Sequence, residues 1–340
     1  MSNYHSNEFL GFGTCAPPNF IPEWLFSYLF FPPLKSQQGH PQAAPYGLRK
    51  AEAQLLKEGF SVETASPDHL DDYLKDAKVL GIHAMDPFGL GPASTTLAAL
   101  FKKEPYLAKH FQALLKSPSV LKAKQKGCKV IVGGPGAWQF DYRERSVKDL
   151  GIDCVMEGEA ENVIGKIFKA AVEGQEIPRH FEAGVGETPS LEEIPDIVYP
   201  SINGLVEIGR GCCRGCQFCN VTLRPLRWYP VEKINREMSV NMEAGNTGVV
   251  LHSEDVMLYG SKTVLPDDKK LILQLNGLVY KVSRTGNLLF ESPDKGKLHD
   301  DYLWALALAV YAGKKFRRFD HLPIMLSKSV SGFGFPPGSR

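Results

Sequence analysis

The apolar positions in the first half of the chain alternate between helical spacing and short continuous runs. Residues 47–60 carry apolar side chains at intervals of three and four, and Gly59 closes the segment, which predicts an amphipathic helix. The apolar members of that helix are Leu48, Ala51, Leu55 and Leu56. The runs at 77–83 and 128–132 are short and continuous, which is typical of strands buried on both faces of a sheet.

The same alternation continues to about residue 180. The helical pattern over 97–117 is broken near Pro105, and residues 151–174 predict a short strand followed by a helix. Strands that alternate with helices predict a parallel sheet covered on both faces. We therefore expect residues 1–180 to form a doubly wound, Rossmann-like α/β domain.

A composition rich in Pro, Glu and Ser predicts a linker over residues 181–202. Residues 203–262 then predict a strand, a cysteine-containing loop, a helix over 231–246 and a second strand. This β–loop–α–β order indicates the opening of a second domain. Residues 263–320 predict a small α+β fragment with a β-ribbon, and we expect 321–340 to be a flexible tail.

Composition narrows the class of protein. Apolar residues make up 43% of the 340 positions and charged residues 23%, which is ordinary for a globular protein with a sizeable core. The formal net charge of +1 gives no electrostatic basis for nucleic acid or an anionic membrane as a partner. The apolar stretch Trp24–Phe31 is shorter than the roughly 20 residues of a membrane span. No signal peptide is apparent, and three of the seven cysteines are scattered singly, so we expect a cytoplasmic location.

A glycine-rich turn follows the strand predicted near residue 130. Gly133, Gly134 and Gly136 do not fit the GxGxxG spacing of a dinucleotide site, and they predict a tight turn at the carboxyl edge of the sheet. Open α/β sheets bind ligands at that edge, so Gly133 and Gly134 are candidate cofactor-binding residues. His83 ends another predicted strand at the same edge, where either packing or a cofactor contact would explain it.

Cys212, Cys216 and Cys219 form a C-x3-C-x2-C pattern directly after a predicted strand. Three thiolates on one loop can face a common point, and cysteine thiolates hold iron–sulfur clusters. A structural zinc site is an alternative, because Cys213 or a distant histidine could supply the fourth ligand that zinc needs. A redox thiol pair is a further alternative.

The triplet, with Phe218 directly before its last cysteine, resembles the signature of the radical S-adenosylmethionine enzymes. The resemblance implies a [4Fe–4S] cluster on Cys212, Cys216 and Cys219, whose free iron chelates S-adenosylmethionine. One electron from the cluster would cleave the sulfonium reductively, for a methyl transfer or a radical rearrangement. It also implies an electron donor such as a flavodoxin or ferredoxin, and a small-molecule substrate that the sequence does not identify.

Residues 1–262 as a whole resemble cobalamin-binding-domain members of that family, through "VIVGGPGAW", "GIDCVMEGEAENVI" and "LHSEDVMLYG". This implies cobalamin as a further cofactor, although the DxHxxG motif is absent around His83. The resemblance also makes Glu254, and after it Asp255, candidates for contact with the methionine moiety or the substrate. Capping of the next helix is the alternative role for these two carboxylates.

The barrel of this family needs further β–α units, which residues after 262 do not supply. The stretch "GKLHDDYLWALALAVYA" instead resembles the C-terminal part of phage terminase large-subunit nucleases, over about 265–320. That resemblance implies a magnesium-binding role for Asp300 or Asp301, and helix capping is the alternative. We expect a truncated barrel joined near 261–265 to an inactive nuclease fragment. A packaging nuclease and a non-catalytic zinc module are the two alternative functions.

Overall fold

The computed structural model describes the chain in several ranges. These are residues 3–4, 7–8, 15, 22–30, 35–212, 224–254, 256, 259–260, 279–282 and 288–291. The chain divides into two compact units, Met1–Lys262 and Thr263–Arg340.

The first unit is a mixture of helices and strands. Its described α-helices are α1 (Glu23–Phe30), α2 (Tyr46–Lys57), α3 (Leu70–Tyr73), α4 (Pro92–Phe101), α5 (Tyr106–Leu115), α6 (Pro118–Gln125), α7 (Glu144–Asp149), α8 (Ile164–Val172) and α9 (Val231–Glu243). Its main strands are β1 (Val79–His83), β2 (Lys129–Gly133), β3 (Cys154–Glu157), β4 (His180–Glu182), β5 (Leu205–Glu207), β6 (Gly209–Arg210), β7 (Arg227–Trp228) and β8 (Val250–His252). Short 3-10 helices cover Pro67–His69, Ala137–Arg143, Val185–Glu187 and Ile202–Gly204. Two-residue antiparallel pairs join Asn3–Tyr4 to Asn7–Glu8, and Ser36–Gln37 to His40–Pro41.

Strands β1 to β4 form a parallel sheet in chain order. Successive side chains of a strand point to opposite faces, so each strand contributes to two cores. On one face, Val130, Val132 and Val155 pack with residues of α5, α6 and the 3-10 helix Ala137–Arg143. On the other face, Ile131 and Met156 pack with α2 and α8. The parallel α/β character predicted from the sequence is therefore confirmed.

Local signals mark several helix boundaries. Gly59 follows α2 at a φ of +86°, a conformation that glycine adopts at little cost, and Pro105 directly precedes α5. Ser117 accepts a hydrogen bond from the backbone N–H of Val120 at 3.4 Å and caps α6. The predicted break near Pro105 is confirmed.

Residues that the composition assigned to a linker take part in the packing of the first unit. Part of β4 lies in this segment, and β4 is the fourth strand of the sheet. Further along, Ile194 and Ile197 are almost completely buried. The backbone carbonyl of Pro195 accepts a hydrogen bond from Lys50 at 2.6 Å, so the segment is fastened to α2.

Two small two-stranded sheets follow this segment. Strands β5 and β8 pair in parallel, β6 and β7 pair antiparallel, and α9 connects the two pairs along the chain. A separate core holds them, formed by Ile194, Val206, Ile208, Tyr229 and Ile234. The predicted order of strand, helix and strand is found in β5, α9 and β8, with the pair β6 and β7 in addition, and a barrel is not established by these strands.

In the second unit, β9 (Val279–Val282) pairs antiparallel with β10 (Leu288–Glu291), as expected for the predicted ribbon. Asp300 and Asp301 lie outside the described residues. None of the helices that the structure describes has the length and apolar character that a membrane crossing requires.

Candidate functional site

Residues 211–226 lie between β6 and β7 and carry the clustered cysteines; this segment, of which 211–212 and 224–226 are described, is called the cysteine loop. The two-residue ladder of β6 and β7 pairs Gly209 with Trp228 and Arg210 with Arg227, and so closes the loop at its base. Gly211 leaves β6 with a φ of +80° and lies against the backbone of Pro225, where a side chain would collide. The ladder and this contact hold the two ends of the loop together.

Cys212 is the first cysteine of the loop. Its thiol is free and partly exposed, one residue beyond the constrained Gly211. Cys213, Cys216 and Cys219 lie outside the described residues. The described part of the loop therefore presents one unpaired thiol at the carboxyl end of β6.

Arg210, two residues before Cys212, is the centre of a buried ion-pair network. Its Nε donates to both carboxylate oxygens of Glu207 at 2.9 Å. Its Nη1 lies 3.0 Å from Glu159 and 2.6 Å from Glu161. Only 13% of the Arg210 side chain is exposed, so water screens these charges weakly. Arg210 thereby ties the base of the cysteine loop to the loop that follows β3.

Arg227 ties the other side of the loop base to the same place. Its Nη2 pairs with the second oxygen of Glu159, and its Nη1 donates to the backbone carbonyl of Pro189. Glu159 thus bridges two guanidinium groups, one at each end of the cysteine loop. The segment that carries it starts at Gly158, which has a φ of +95°, and a Cβ there would lie 2.8 Å from the carbonyl oxygen of Ala183.

The electrostatics of the network favour the charged arginine. Burial by itself lowers the pKa of Arg210, but the carboxylates of Glu207 and Glu161 outweigh burial and hold that pKa well above its usual range. Tyr229 donates its hydroxyl hydrogen to Glu207 at 3.0 Å. Burial, and then the charge of Glu207, raise the pKa of Tyr229, so its phenol stays protonated.

Glu254 follows β8, whose parallel neighbour β5 continues through Ile208 and β6 into the cysteine loop. Strands β5 and β8 are parallel, with Glu207 opposite His252, and the N–H of Ile208 donates to the carbonyl of His252 at 2.8 Å. Glu254 lies two residues beyond β8 and is exposed, whereas Asp255 lies outside the described residues. The fold therefore places Glu254 just beyond β8, and the chain that leads to Cys212 beyond the adjacent end of β5.

Two buried polar atoms near these strands have no hydrogen-bond partner within the described ranges. They are Oγ of Ser253, directly before Glu254, and Nε1 of Trp228, in the strand that ends the cysteine loop. Buried polar atoms normally find a partner, so unpaired ones call for an explanation such as a bound group.

The glycine turn after β2 packs against the protein's own backbone. Gly134 has a φ of +105°, and a Cβ there would lie 2.8 Å from the carbonyl oxygen of Ala84. A Cβ on Gly136 would collide with Met85 and Pro87. Gly133 is less restricted, with its closest neighbour at 3.4 Å. These contacts account for the conformation of the turn through its approach to the loop after β1.

His83 is enclosed between two glycines. Its Nε2 lies where a side chain on Gly47 would be, and its Cδ2 lies 3.0 Å from the position of a Cβ on Gly134. Burial lowers the pKa of His83 to about 4, so the imidazole is neutral at pH 7. These contacts support packing, and not a cofactor contact, as the role of His83.

The charged members of the network were not found by sequence reasoning. Glu159, Glu161, Glu207, Arg210 and Arg227 are ordinary charged residues in a chain with 77 of them, and spacing alone does not pair them. A usable signal was the position of Arg210 inside the apolar and glycine-rich stretch that precedes Cys212.

Comparison with known proteins finds partial relatives. No family model matches the chain. Two relatives are the ribosomal protein uS12 methylthiotransferases RimO of Thermotoga petrophila and Thermotoga maritima. Each is 35% identical to this chain over 78 residues, which cover 21% of this chain and 18% of the relative. RimO from Petrotoga mobilis is 34% identical over 98 residues, which cover 27% of this chain and 21% of the relative.

The matched part spans about a fifth of the length of these relatives. The similarity supports a region related to the radical S-adenosylmethionine enzymes within a mixed α/β protein. It does not support the terminase resemblance.

Proposed function

We propose that the chain is a radical S-adenosylmethionine protein with a [4Fe–4S] cluster on Cys212, Cys216 and Cys219. The observation that carries the proposal is the anchoring of the cysteine loop. Its base is closed by β6 and β7, and buried ion pairs of Arg210 and Arg227 fix both ends. A cluster needs its ligands at fixed mutual positions, and a loop held at both ends favours that.

The donor set fits such a cluster. Three cysteine thiols in eight consecutive residues supply soft ligands, and Cys212 is unpaired and partly exposed. When bound, the cluster would supply the electron that cleaves S-adenosylmethionine reductively.

Glu254 is the proposed contact for the amino group of S-adenosylmethionine, with Asp255 second. Its support is that β5 and β8 are parallel: Glu254 lies just beyond β8, and the chain beyond the adjacent end of β5 continues through β6 into the cysteine loop. The unpaired atoms of Ser253 and Trp228 would offer further polar contacts to a ligand at these strands.

The reaction class follows from the relatives as a proposal only. They are methylthiotransferases by name, which favours transfer of a methyl or methylthio group over rearrangement. A reduced flavodoxin or ferredoxin is the proposed electron donor. A cytoplasmic location remains a prediction from the sequence.

Cobalamin is a separate part of the proposal. His83, the histidine that the sequence offered near its motif, is enclosed between Gly47 and Gly134 and does not fit as a lower ligand of cobalt. Gly133 and Gly134 remain proposed cofactor contacts, because their turn lies at the carboxyl edge of the sheet. The visible spectrum of protein incubated with hydroxocobalamin and then desalted tests whether any is retained.

Anaerobic iron–sulfur reconstitution of the full chain tests the main proposal. We expect electron paramagnetic resonance of the reduced protein to show a cubane signal that changes when S-adenosylmethionine is added. A colourless protein that binds zinc in a 1:1 ratio would instead establish the zinc module. Replacement of Glu254 by Gln should weaken the response to S-adenosylmethionine while leaving the iron content unchanged.

A further inference from the structure

A histidine and two carboxylates converge at the far side of the four-stranded sheet from α2 and α8. Nδ1 of His180 lies 3.2 Å from Oδ1 of Asp141, and Nε2 of His180 lies 3.7 Å from Oε2 of Glu157. One potential ligand atom from each of these three residues lies within 4.8 Å of the other two. Neither the sequence pattern nor the similarity to RimO pointed to them.

The register of β3 and β4 explains why they meet. Val155 is paired with His180, and Glu157 is paired with Glu182, so all four side chains point to one face. Met156 and Phe181 point to the opposite face and pack in its core. Three structural elements thus supply the cluster.

Asp141 comes from an element that packs over this face of the sheet. It lies in the 3-10 helix Ala137–Arg143, whose residues Ala137 and Phe140 pack in the same core as Val155. The packing of these apolar side chains fixes the helix over the sheet and brings the Asp141 carboxylate to His180. The arrangement therefore depends on the core and not on exposed side chains alone.

The charge of the cluster favours a cation. Glu157 and Glu182 lie directly opposite each other on neighbouring strands, an unfavourable placement for two like charges. Burial, and then the carboxylates of Asp141 and Glu182, raise the pKa of Glu157, while His180 and Arg224 act in the opposite direction. Two carboxylates thus add negative charge near Glu157, and His180 and Arg224 are the groups that oppose them there.

We propose that Asp141, Glu157 and His180 bind a divalent first-row transition-metal ion, with water completing its coordination. An imidazole together with carboxylates suits zinc, manganese or iron, whereas Mg²⁺ and Ca²⁺ favour shells made of oxygen. Half of the Asp141 side chain and 40% of the His180 side chain are exposed, so an ion and its water ligands have access. Glu157 is only 17% exposed and would be the inner ligand.

Titration of the full chain with Mn²⁺, followed by the loss of the free-ion paramagnetic resonance signal, tests the site. We expect saturable binding of one ion per chain, reversed by Zn²⁺ and much less by Mg²⁺. His180→Ala and Asp141→Asn should each weaken binding about 10-fold or more. Asp141 is half exposed, so D141N should keep the fold, which circular dichroism can verify.

Two further variants separate this site from other metal-binding groups. His40→Ala removes an exposed histidine that also lies near a carboxylate, 3.8 Å from Glu63, and should bind Mn²⁺ as the wild type does. The triple substitution of Cys212, Cys216 and Cys219 by Ser should do the same. Unchanged binding in both H180A and D141N, loss of binding in the triple cysteine variant, or equal competition by Mg²⁺ would each overturn the proposal.

Discussion

Nη1 of Arg210 lies 3.0 Å from Oε2 of Glu159, although 51 positions separate the two residues along the chain. The pair joins the loop after β3 to the strand that leads into the cysteine loop. Both side chains are buried, with 13% and 6% exposed, so the contact is part of the interior of the first unit. The proposed cluster site is thus built on the four-stranded sheet as well as on its own strands.

Removal of the Arg210 charge should destabilise the first unit. Arg210→Met leaves the carboxylates of Glu159, Glu161 and Glu207 buried with less compensation, which costs about 3–5 kcal/mol for a broken buried pair. Urea unfolding followed by circular dichroism measures the loss. Lys75→Met, which breaks an exposed pair with Asp72, is the matched control and should leave the midpoint unchanged. Equal midpoints for the two variants would contradict the structural role of Arg210.

Substitution of the three cysteines of the triplet should reduce iron binding, whereas substitution of the neighbouring Cys213 should not. Cys212→Ser, Cys216→Ser and Cys219→Ser should each abolish most of the iron bound after reconstitution, because each removes one of three thiolate ligands. Cys213→Ser should retain iron at the wild-type level. Iron and sulfide analysis measures both results, and an iron loss in C213S as large as in C212S would argue against the assigned ligands.

Stability should fall in acid through His83. The folded pKa of about 4 lies below the ordinary value of 6.5, so the unfolded chain binds more protons between these two pH values. Unfolding therefore becomes easier as the pH falls from about 6.5 to about 4, by about 3 kcal/mol in total. The contribution is fully present above pH 6.5.

Comparison of the wild type with His83→Gln isolates this effect from other titrating groups. Urea unfolding of both proteins at several pH values should give a steeper acid loss for the wild type. Parallel stability curves for the two proteins would show that His83 does not titrate as its burial implies.

Gly134→Ala should cost more than the same change at a glycine with space around it. Both Gly134 and Gly174 have positive φ, at +105° and +72°, which strains an alanine by about 1–2 kcal/mol. A Cβ at 134 would also lie 2.8 Å from the carbonyl of Ala84, whereas nothing lies within 4 Å at 174. The difference in unfolding free energy between G134A and G174A measures the close approach, and G134A should be the less stable.

Local patterns were sufficient for several elements of the first unit. The apolar runs of β1 and β2, the broken helical pattern at Pro105 and the glycine after α2 each act within a few residues, so the sequence predicted them. The helix α2 shows the limit of such patterns. Its polar residues Arg49, Lys50 and Glu52 suggest a solvent-facing side, but the structure buries them.

Their burial depends on partners that are distant in the chain. Arg49 donates to the carbonyl oxygen of Pro200 at 3.0 Å, Thr64 donates to Glu52 at 2.8 Å, and Lys50 pairs with Glu237 of α9. The linker prediction for residues 181–202 has the same cause. Their carbonyl groups and few apolar side chains find partners in α2 and α9, which are distant in the sequence, so local composition does not reveal these contacts.

The sequence by itself determined the alternation of strands and helices and the spacing of Cys212, Cys216 and Cys219, because both depend on neighbours within a turn or a strand. Only the tertiary structure decided that Glu159 meets Arg210 and that His180 lies between Asp141 and Glu157. Those contacts follow from the order and register of parallel strands, which bring together side chains from separate segments. Spacing along the chain does not encode that register, since it is set by the packing of both sheet faces at once.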